Sequence, residues 1–370
     1  MYKNDFALSE GIYLLNHSVG KPLKTAQQAF SKHFFSPWQN SNAEPWQNWL
    51  GVIDQFTIGL AKLFNAKQSE FCPQVNLSSG LTKIVMSLDK LQAQNCVVLL
   101  SENDFPSIGF ALQNALPKSC ELRFIPAHLD MSCANVWDEY LTNDVDLVLV
   151  SHAYSNSGEL APLSDIIPMA KSREVLTIID IAQSAGVVPL DLNTLKPDFM
   201  IGSSVKWLCG GPGAAYLWIN TDQIQTCRPK DVGWFSHDNP FEFDIHDFRF
   251  HDSALKFWGG TPSIAPYAIA EHSIDYFAKI GSQVIREYNQ RLMNLIVDEF
   301  PDKIISPKES HRRSSSIVLN FGKQQNLVFH ALQDNNITVD YRNLGLRISP
   351  HIYNDEADID RLLSVIKSKI

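Results

Sequence analysis

The feature that most constrains this chain is a set of short, continuously apolar segments, Leu147–Ser151, Leu176–Asp180 and Phe199–Ser203. Apolar runs of this length, without alternation to polar residues, predict strands covered on both faces. Segments 96–100, 122–125 and 214–219 have the same character, and 74–77 leads into a helix expected from about residue 82. The intervening 107–115 has helical spacing. In the helix expected over Trp46–Phe64, Trp49, Val52, Ile53, Phe56, Leu60 and Leu63 share one face. Strands alternating with helices predict an α/β fold built on a mostly parallel sheet.

A chain of 370 residues exceeds one ordinary core. The pattern divides it into an arm over 1–25, extended at 12–15, a large α/β domain over 26–255 and a smaller α+β domain over 256–370. The last contains helical spacing at 264–279, 282–300 and 358–370 and strands at 315–320 and 346–348. With 45% hydrophobic and 19% charged residues the balance is globular. A net charge of −9 without any basic stripe argues against nucleic acid and anionic membranes as partners. No apolar run is long enough to span a bilayer, and the first residues lack a signal-peptide pattern, so a cytoplasmic protein is expected. The six cysteines show no CxxC and no metal-ligand spacing, which predicts reduced thiols.

Three segments carry chemistry, because ligands of open α/β sheets gather at the carboxyl ends of strands. Asp180 closes an apolar strand and is followed by Gln183 and Gly186. A carboxylate there either caps a helix or meets a cationic partner, such as a protonated pyridine nitrogen. Lys206 follows the next strand, between Val205 and Trp207, with Ser204 before it and Gly210, Gly211 and Gly213 after it. Such a lysine either snorkels to solvent or is desolvated into an amine nucleophile. Ser204 offers a phosphate its hydroxyl, and the glycines permit a sharp turn beside a ligand. In Asn76-Leu77-Ser78-Ser79-Gly80-Leu81-Thr82-Lys83, a small-residue turn opens a helix. Ser79, the Leu81 backbone and Thr82 would cradle a phosphate there, although any capped helix looks similar.

Together Asp180, Gln183, Gly186, Ser204 and Lys206 resemble the Asp-x-x-Gln/His-x-x-Gly and Ser-x-Lys pattern of the class V aminotransferase family. The likeness runs from Tyr13 to the last helix. It implies a fold-type I enzyme of amino-acid chemistry, with a mostly parallel, seven-stranded-type sheet. Lys206 would hold pyridoxal 5'-phosphate as a Schiff base and Asp180 would pair with the ring nitrogen. The same likeness implies that Asn156 contacts the phenolic oxygen and that Phe105 stacks on the pyridine. Within the class, Gly233-Trp234-Phe235-Ser236-His237 and the segment from Val339 to Pro350 are similar to segments of the kynureninases. That similarity implies a homodimer in which Trp234 reaches the neighbouring subunit's phosphate, and the likeness of residues 259–262 to the general class V segment implies the same for Thr261. His237 would border the substrate, and Arg347 would hold its α-carboxylate by a bidentate contact.

Departures leave the reaction open. Val205 stands where the kynureninases have Tyr and many class members have His, Gln183 replaces a His, and Ile108 replaces an Asp. Gly259-Gly260-Thr261-Pro262 resembles the general class V segment instead of the kynureninase Ser-Asn-Pro-Pro. After Cα deprotonation, the chain's chemistry is transamination, hydrolytic cleavage between Cβ and Cγ, or β-elimination by a C–S lyase. A cysteine desulfurase needs a nucleophilic cysteine in the C-terminal part, and none follows Cys227. A catalytically silent binding protein is the non-enzyme alternative; intact Asp180 and Lys206 argue against it. Phe105, Trp207, Trp234, Phe235, His237 and Trp258 suit an aromatic substrate or simple interface packing.

Overall fold

The computed structural model describes residues 2–370. Its strands are β1 (Ile12–Tyr13), β2 (Phe71–Gln74), β3 (Val97–Ser101), β4 (Glu121–Ile125), β5 (Leu147–Ser151), β6 (Leu176–Asp180), β7 (Phe199–Ser203), β8 (Ala215–Ile219), β9 (Ile317–Leu319), β10 (Ile337–Thr338), β11 (Asp340–Arg342) and β12 (Gly345–Ile348). Seven form one sheet in the order β2-β8-β7-β6-β5-β3-β4. Neighbours from β7 to β4 run parallel, whereas β8 is antiparallel to both β7 and β2.

The apolar runs have a direct structural cause. Along β5, Val148 and Val150 enter the core on one face while Leu147 and Leu149 enter the core on the other. Ile179 and Ile178 divide in the same way on β6. Both faces are roofed by helices, so alternate residues are all apolar. Burying each such side chain contributes roughly 1.5–3 kcal/mol. The exception is β4, which departs from the expected burial. It is an edge strand, and Phe124 on it stays 38% exposed because none of the described residues covers it.

A second sheet, β11-β12-β9, is antiparallel, and the arm strand β1 pairs with β10. The arm is therefore stitched to the C-terminal layer. The helix Ala265–Ile280 sends Tyr267, Ile274 and Phe277 into the core shared with the helix Trp46–Phe64. The separate C-terminal core begins with Leu292, Met293 and Ile296 of the following helix, Ser282–Glu299. Among the described residues no helix is long and apolar enough to cross a membrane.

One expectation is overturned. The cysteines are not all free: Cys96 is bonded to Cys120, with Cα atoms 4.7 Å apart. The parallel register places Val97 opposite Glu121, so the preceding residues, Cys96 and Cys120, also face each other. Strand pairing, which residue spacing does not reveal, creates this contact.

Candidate active site

The carboxyl ends of β3, β5, β6 and β7 surround a cavity of about 270 Å³. Asp180, Lys206, Phe105, Gln183 and Val205 all line it. Lys206 lies in the turn after β7, whose sharp return uses positive φ at Gly211 and Gly213. Burial pushes its ammonium below the ordinary lysine value; Asp180 opposes that shift, while Arg347 and Arg342 add to it. Asp180 ends β6 and accepts the Ala182 N–H at 2.8 Å. Burial pushes its carboxyl up, and the Ala182 N–H and Lys206 pull it back. Pro106 opens the next helix and holds Phe105 extended. The Phe105 ring is thereby thrown into the cavity mouth, 5.9 Å from the Lys206 Nζ.

The anion-binding end differs from the sequence expectation. The helix begins at Leu77, not near residue 82, and Asn76 caps it by accepting the Ser79 N–H at 2.8 Å. The first-turn amides of Leu77 and Ser78 have no intrahelical partner, and both residues line the cavity with Asn76. The Leu81 side chain is buried in the sheet-facing core, and its backbone N–H lies a full turn inside the helix, where the i→i−4 ladder uses it. Ser79 and Thr82 face an adjoining cavity that shares Ser78 and Ser107 with the first. The serine near the lysine also changes. Ser204 is fully buried and donates to the carbonyls of Ala214 at 2.8 Å and Gly211 at 3.2 Å. Ser203, the last residue of β7, lines the cavity instead. Adjacent strand residues point to opposite faces, so a shift of one position exchanges a pocket residue for a core residue.

The remaining candidates fall into two groups. Gln183 lines the cavity but is already held, donating to the His17 carbonyl at 3.0 Å and accepting the Trp207 indole N–H at 3.1 Å. Ser155 lines the wall where Asn156 was expected; Asn156 does not. Arg347 is 3% exposed and sits behind that wall, donating to the Ser155 carbonyl at 3.0 Å and paired with Asp340. Its Nε is buried without an acceptor. Trp234, Thr261 and His237 lie outside the cavity. The Trp234 indole N–H donates to the Thr261 hydroxyl at 3.3 Å. The His237 ring contacts the Asp247 carbonyl at 2.8 Å within its own loop. Trp207 is core, and Phe235 packs on Trp258 at 4.9 Å. Of the six aromatic residues singled out in the sequence, only Phe105 lines the cavity within this chain.

Tyr154, also on the cavity wall, and Asp104 beside it were missed by sequence reasoning; each leaves a buried oxygen without a partner. His17 was missed too. The one signal for these residues was their place next to segments already singled out.

The donor set fits pyridoxal phosphate. It places unclaimed amides of a helix N-terminus, a desolvated lysine, a buried carboxylate and a projecting aromatic ring around one cavity. The fold and this set of groups define a fold-type I enzyme dependent on that cofactor. Residues 25–362 match the model of the Aminotransferase class-V family, and the chain belongs to that family. A kynureninase of Deinococcus radiodurans is 26% identical over 96% of this chain and 89% of its own length. One from Pseudomonas fluorescens is 24% identical over 92% and 84%. In fold, the chain is similar to a C-DES variant with glycine covalently linked to its PLP cofactor, with a TM-score of 0.89, 19% identity and 100% of both chains covered. It is also similar to a cysteine desulfurase of Thermococcus onnurineus NA1, with a TM-score of 0.85 and 19% identity over 97% and 94%.

Proposed function

We propose that this chain hydrolyses a γ-keto amino acid with an aromatic side chain between Cβ and Cγ, water adding to the side-chain carbonyl to release a carboxylic acid and alanine, in the manner of the kynureninases. The observation that carries its amino-acid chemistry is the placement of buried Lys206 and buried Asp180 in one cavity, with Phe105 across its mouth. The full-length likeness to kynureninases supports the particular reaction. The apolar wall of Val75, Ile108, Ala153 and Val205 supports the side-chain class.

Bound pyridoxal phosphate would supply an electron sink for charge developing at Cα. The amides of Leu77 and Ser78, with Ser203, would hold its phosphate, and Asp180 would hold the proton of its ring nitrogen. Lys206 would anchor it covalently and, once displaced by the substrate amine, take the Cα proton at Nζ. Desolvation aids that step, because it increases the neutral fraction of the amine near neutral pH. Arg347 would bind the α-carboxylate, and its unpaired Nε is one donor for it.

A homodimer belongs to the same proposal. Trp234 and Thr261 are joined by a hydrogen bond but stand away from their own cavity. The adjoining loop exposes Phe241, Phe243 and Ile245 at 49%, 77% and 91%. An apolar patch of that kind marks a contact surface, and a second copy covering it would receive Trp234 at its phosphate. Transamination is favoured as a second reading by Gly259-Gly260-Thr261, where the chain leaves the kynureninase pattern for the general class V one. One preparation assayed with kynurenine, with amino acid plus 2-oxo acid, and with β-substituted cysteines decides between them. Anthranilate and alanine released from kynurenine support the hydrolase; turnover that requires a 2-oxo acid, without cleavage, rejects it.

A further inference from the structure

The carboxylate clamp is already occupied by a carboxylate of the chain itself. Asp340 and Arg347 are direct partners across the antiparallel β11–β12 pair, and their side chains form an ion pair. Arg347 is nearly sealed, with 4% of its side chain exposed, whereas Asp340 keeps 25% of its own. A guanidinium that is both desolvated and neutralised offers little to an incoming carboxylate. Arg347 must therefore lose Asp340, or share it, before it can bind substrate strongly.

Two other donors surround Asp340. The Arg342 Nε lies 3.4 Å from Oδ2, on a side chain that is 55% exposed. The His17 Nε2 lies 3.4 Å from the same oxygen. His17 is buried, and its Nδ1 meets the Ser349 hydroxyl at 2.6 Å. A neutral ring protonated at Nε2 satisfies both contacts. The backbone of His17 also accepts from Gln183, a wall residue of the cofactor cavity. Asp340 thus has somewhere to go, and its second holder is anchored to the cavity itself.

We propose that Asp340 is the resident carboxylate of the Arg347 clamp, handed to Arg342 and His17 when a substrate carboxylate binds, so that it sets affinity for the acid group. This rests on Arg347 being the carboxylate clamp, and the test separates the two ideas. The probe is propionate, which has no amine with which to react, compared with propionamide. Binding of each to the cofactor-loaded enzyme is measured by titration calorimetry. Asp340→Asn removes the competing charge and is expected to tighten propionate by about tenfold while leaving propionamide unchanged. Arg342→Gln, at an exposed position, leaves Asp340 on Arg347 and is expected to weaken propionate by about fivefold; in the double variant that weakening disappears.

If Asp340→Asn weakens propionate or leaves it unchanged, Asp340 merely orients Arg347 and the proposal fails. If Arg342→Gln weakens propionate equally in both backgrounds, Arg342 binds the probe directly and the handover is wrong. Arg347→Gln tests the underlying clamp: propionate affinity equal to the parent's rejects Arg347 as the carboxylate site. Lost affinity in that variant, without tightening in Asp340→Asn, rejects only the handover. Should Asp340→Asn fail to fold, Asp340→Ser, which also removes the competing charge, replaces it in both the single and the double variant, with the same expected and overturning results.

Discussion

Gly20 lies against the peptide that carries Lys206. Its N–H donates to the Val205 carbonyl at 2.9 Å, and a Cβ at residue 20 would stand 2.1 Å from the Lys206 carbonyl oxygen and 2.6 Å from the Cys209 sulfur. The N-terminal arm is therefore one wall of the lysine turn.

Gly20→Ala cannot be accommodated without moving that turn, because the obstructing atom is backbone. We expect the variant to lose about 1–3 kcal/mol of stability and to retain the cofactor poorly. Urea unfolding and the visible absorbance of the reconstituted protein measure the two effects. A variant with parental absorbance and parental stability would show that the arm yields freely.

Burial pushes the Asp104 carboxyl up to about 7; hydrogen bonds involving Ser151 and Ser101 oppose this and Asp180 adds to it. From about pH 4 to about pH 7, the unfolded chain has released this proton while the folded chain keeps it. Stability therefore falls as pH rises through that window, by at most about 1.4 kcal/mol per pH unit from this group. Asp104→Asn cannot titrate and still offers an acceptor to the Ser101 N–H. Its advantage in Tm over the parent, measured without cofactor, should grow from about pH 5 to 7 and level off above. A pH-independent difference contradicts this.

Val205 lines the cavity with no polar atom in its side chain. Val205→His adds a donor beside the lysine, and a hydrogen bond to a charged phosphate contributes about 1.5–3 kcal/mol. Cofactor affinity, measured by equilibrium dialysis, should rise by about tenfold. No change would mean that the phosphate lies out of reach of position 205.

The Cys96–Cys120 bond closes a loop of sequence separation 24 and ties edge strand β4 to β3. In the chain-entropy account such a loop is worth about 3 kcal/mol. Unreduced protein should be lighter by two hydrogens in intact mass, and Cys120→Ser should lower Tm. Four remaining thiols and no others should react with a thiol reagent under denaturing, non-reducing conditions; six would refute the bond.

Much of the large sheet was legible in the chain itself. Leu147–Ser151, Leu176–Asp180 and Phe199–Ser203 are strands at the expected bounds, because two covered faces require apolar residues at every position. Asp180 and Lys206 stood out for a related reason: an ionisable group closing an apolar strand needs a partner. The helix start at Leu77 was misplaced by several residues, since Asn76 acts as its cap through geometry that any Asn, Ser or Thr nearby would permit. Ser203 and Ser204 could not be told apart, because composition does not say which face a strand's last residue presents.

What the sequence determined by itself is therefore the periodicity, the parallel α/β class and the two ionisable residues, Asp180 and Lys206, that stand at the ends of apolar strands, all of which are local consequences of desolvation. The tertiary structure alone decided which residues meet: Cys96 with Cys120, Gly20 with Lys206, and Asp340 with both Arg347, across a hairpin, and the distant His17. Those contacts depend on strand register and on where the arm docks. Both are set by the summed packing of the whole core, and no short segment carries that information.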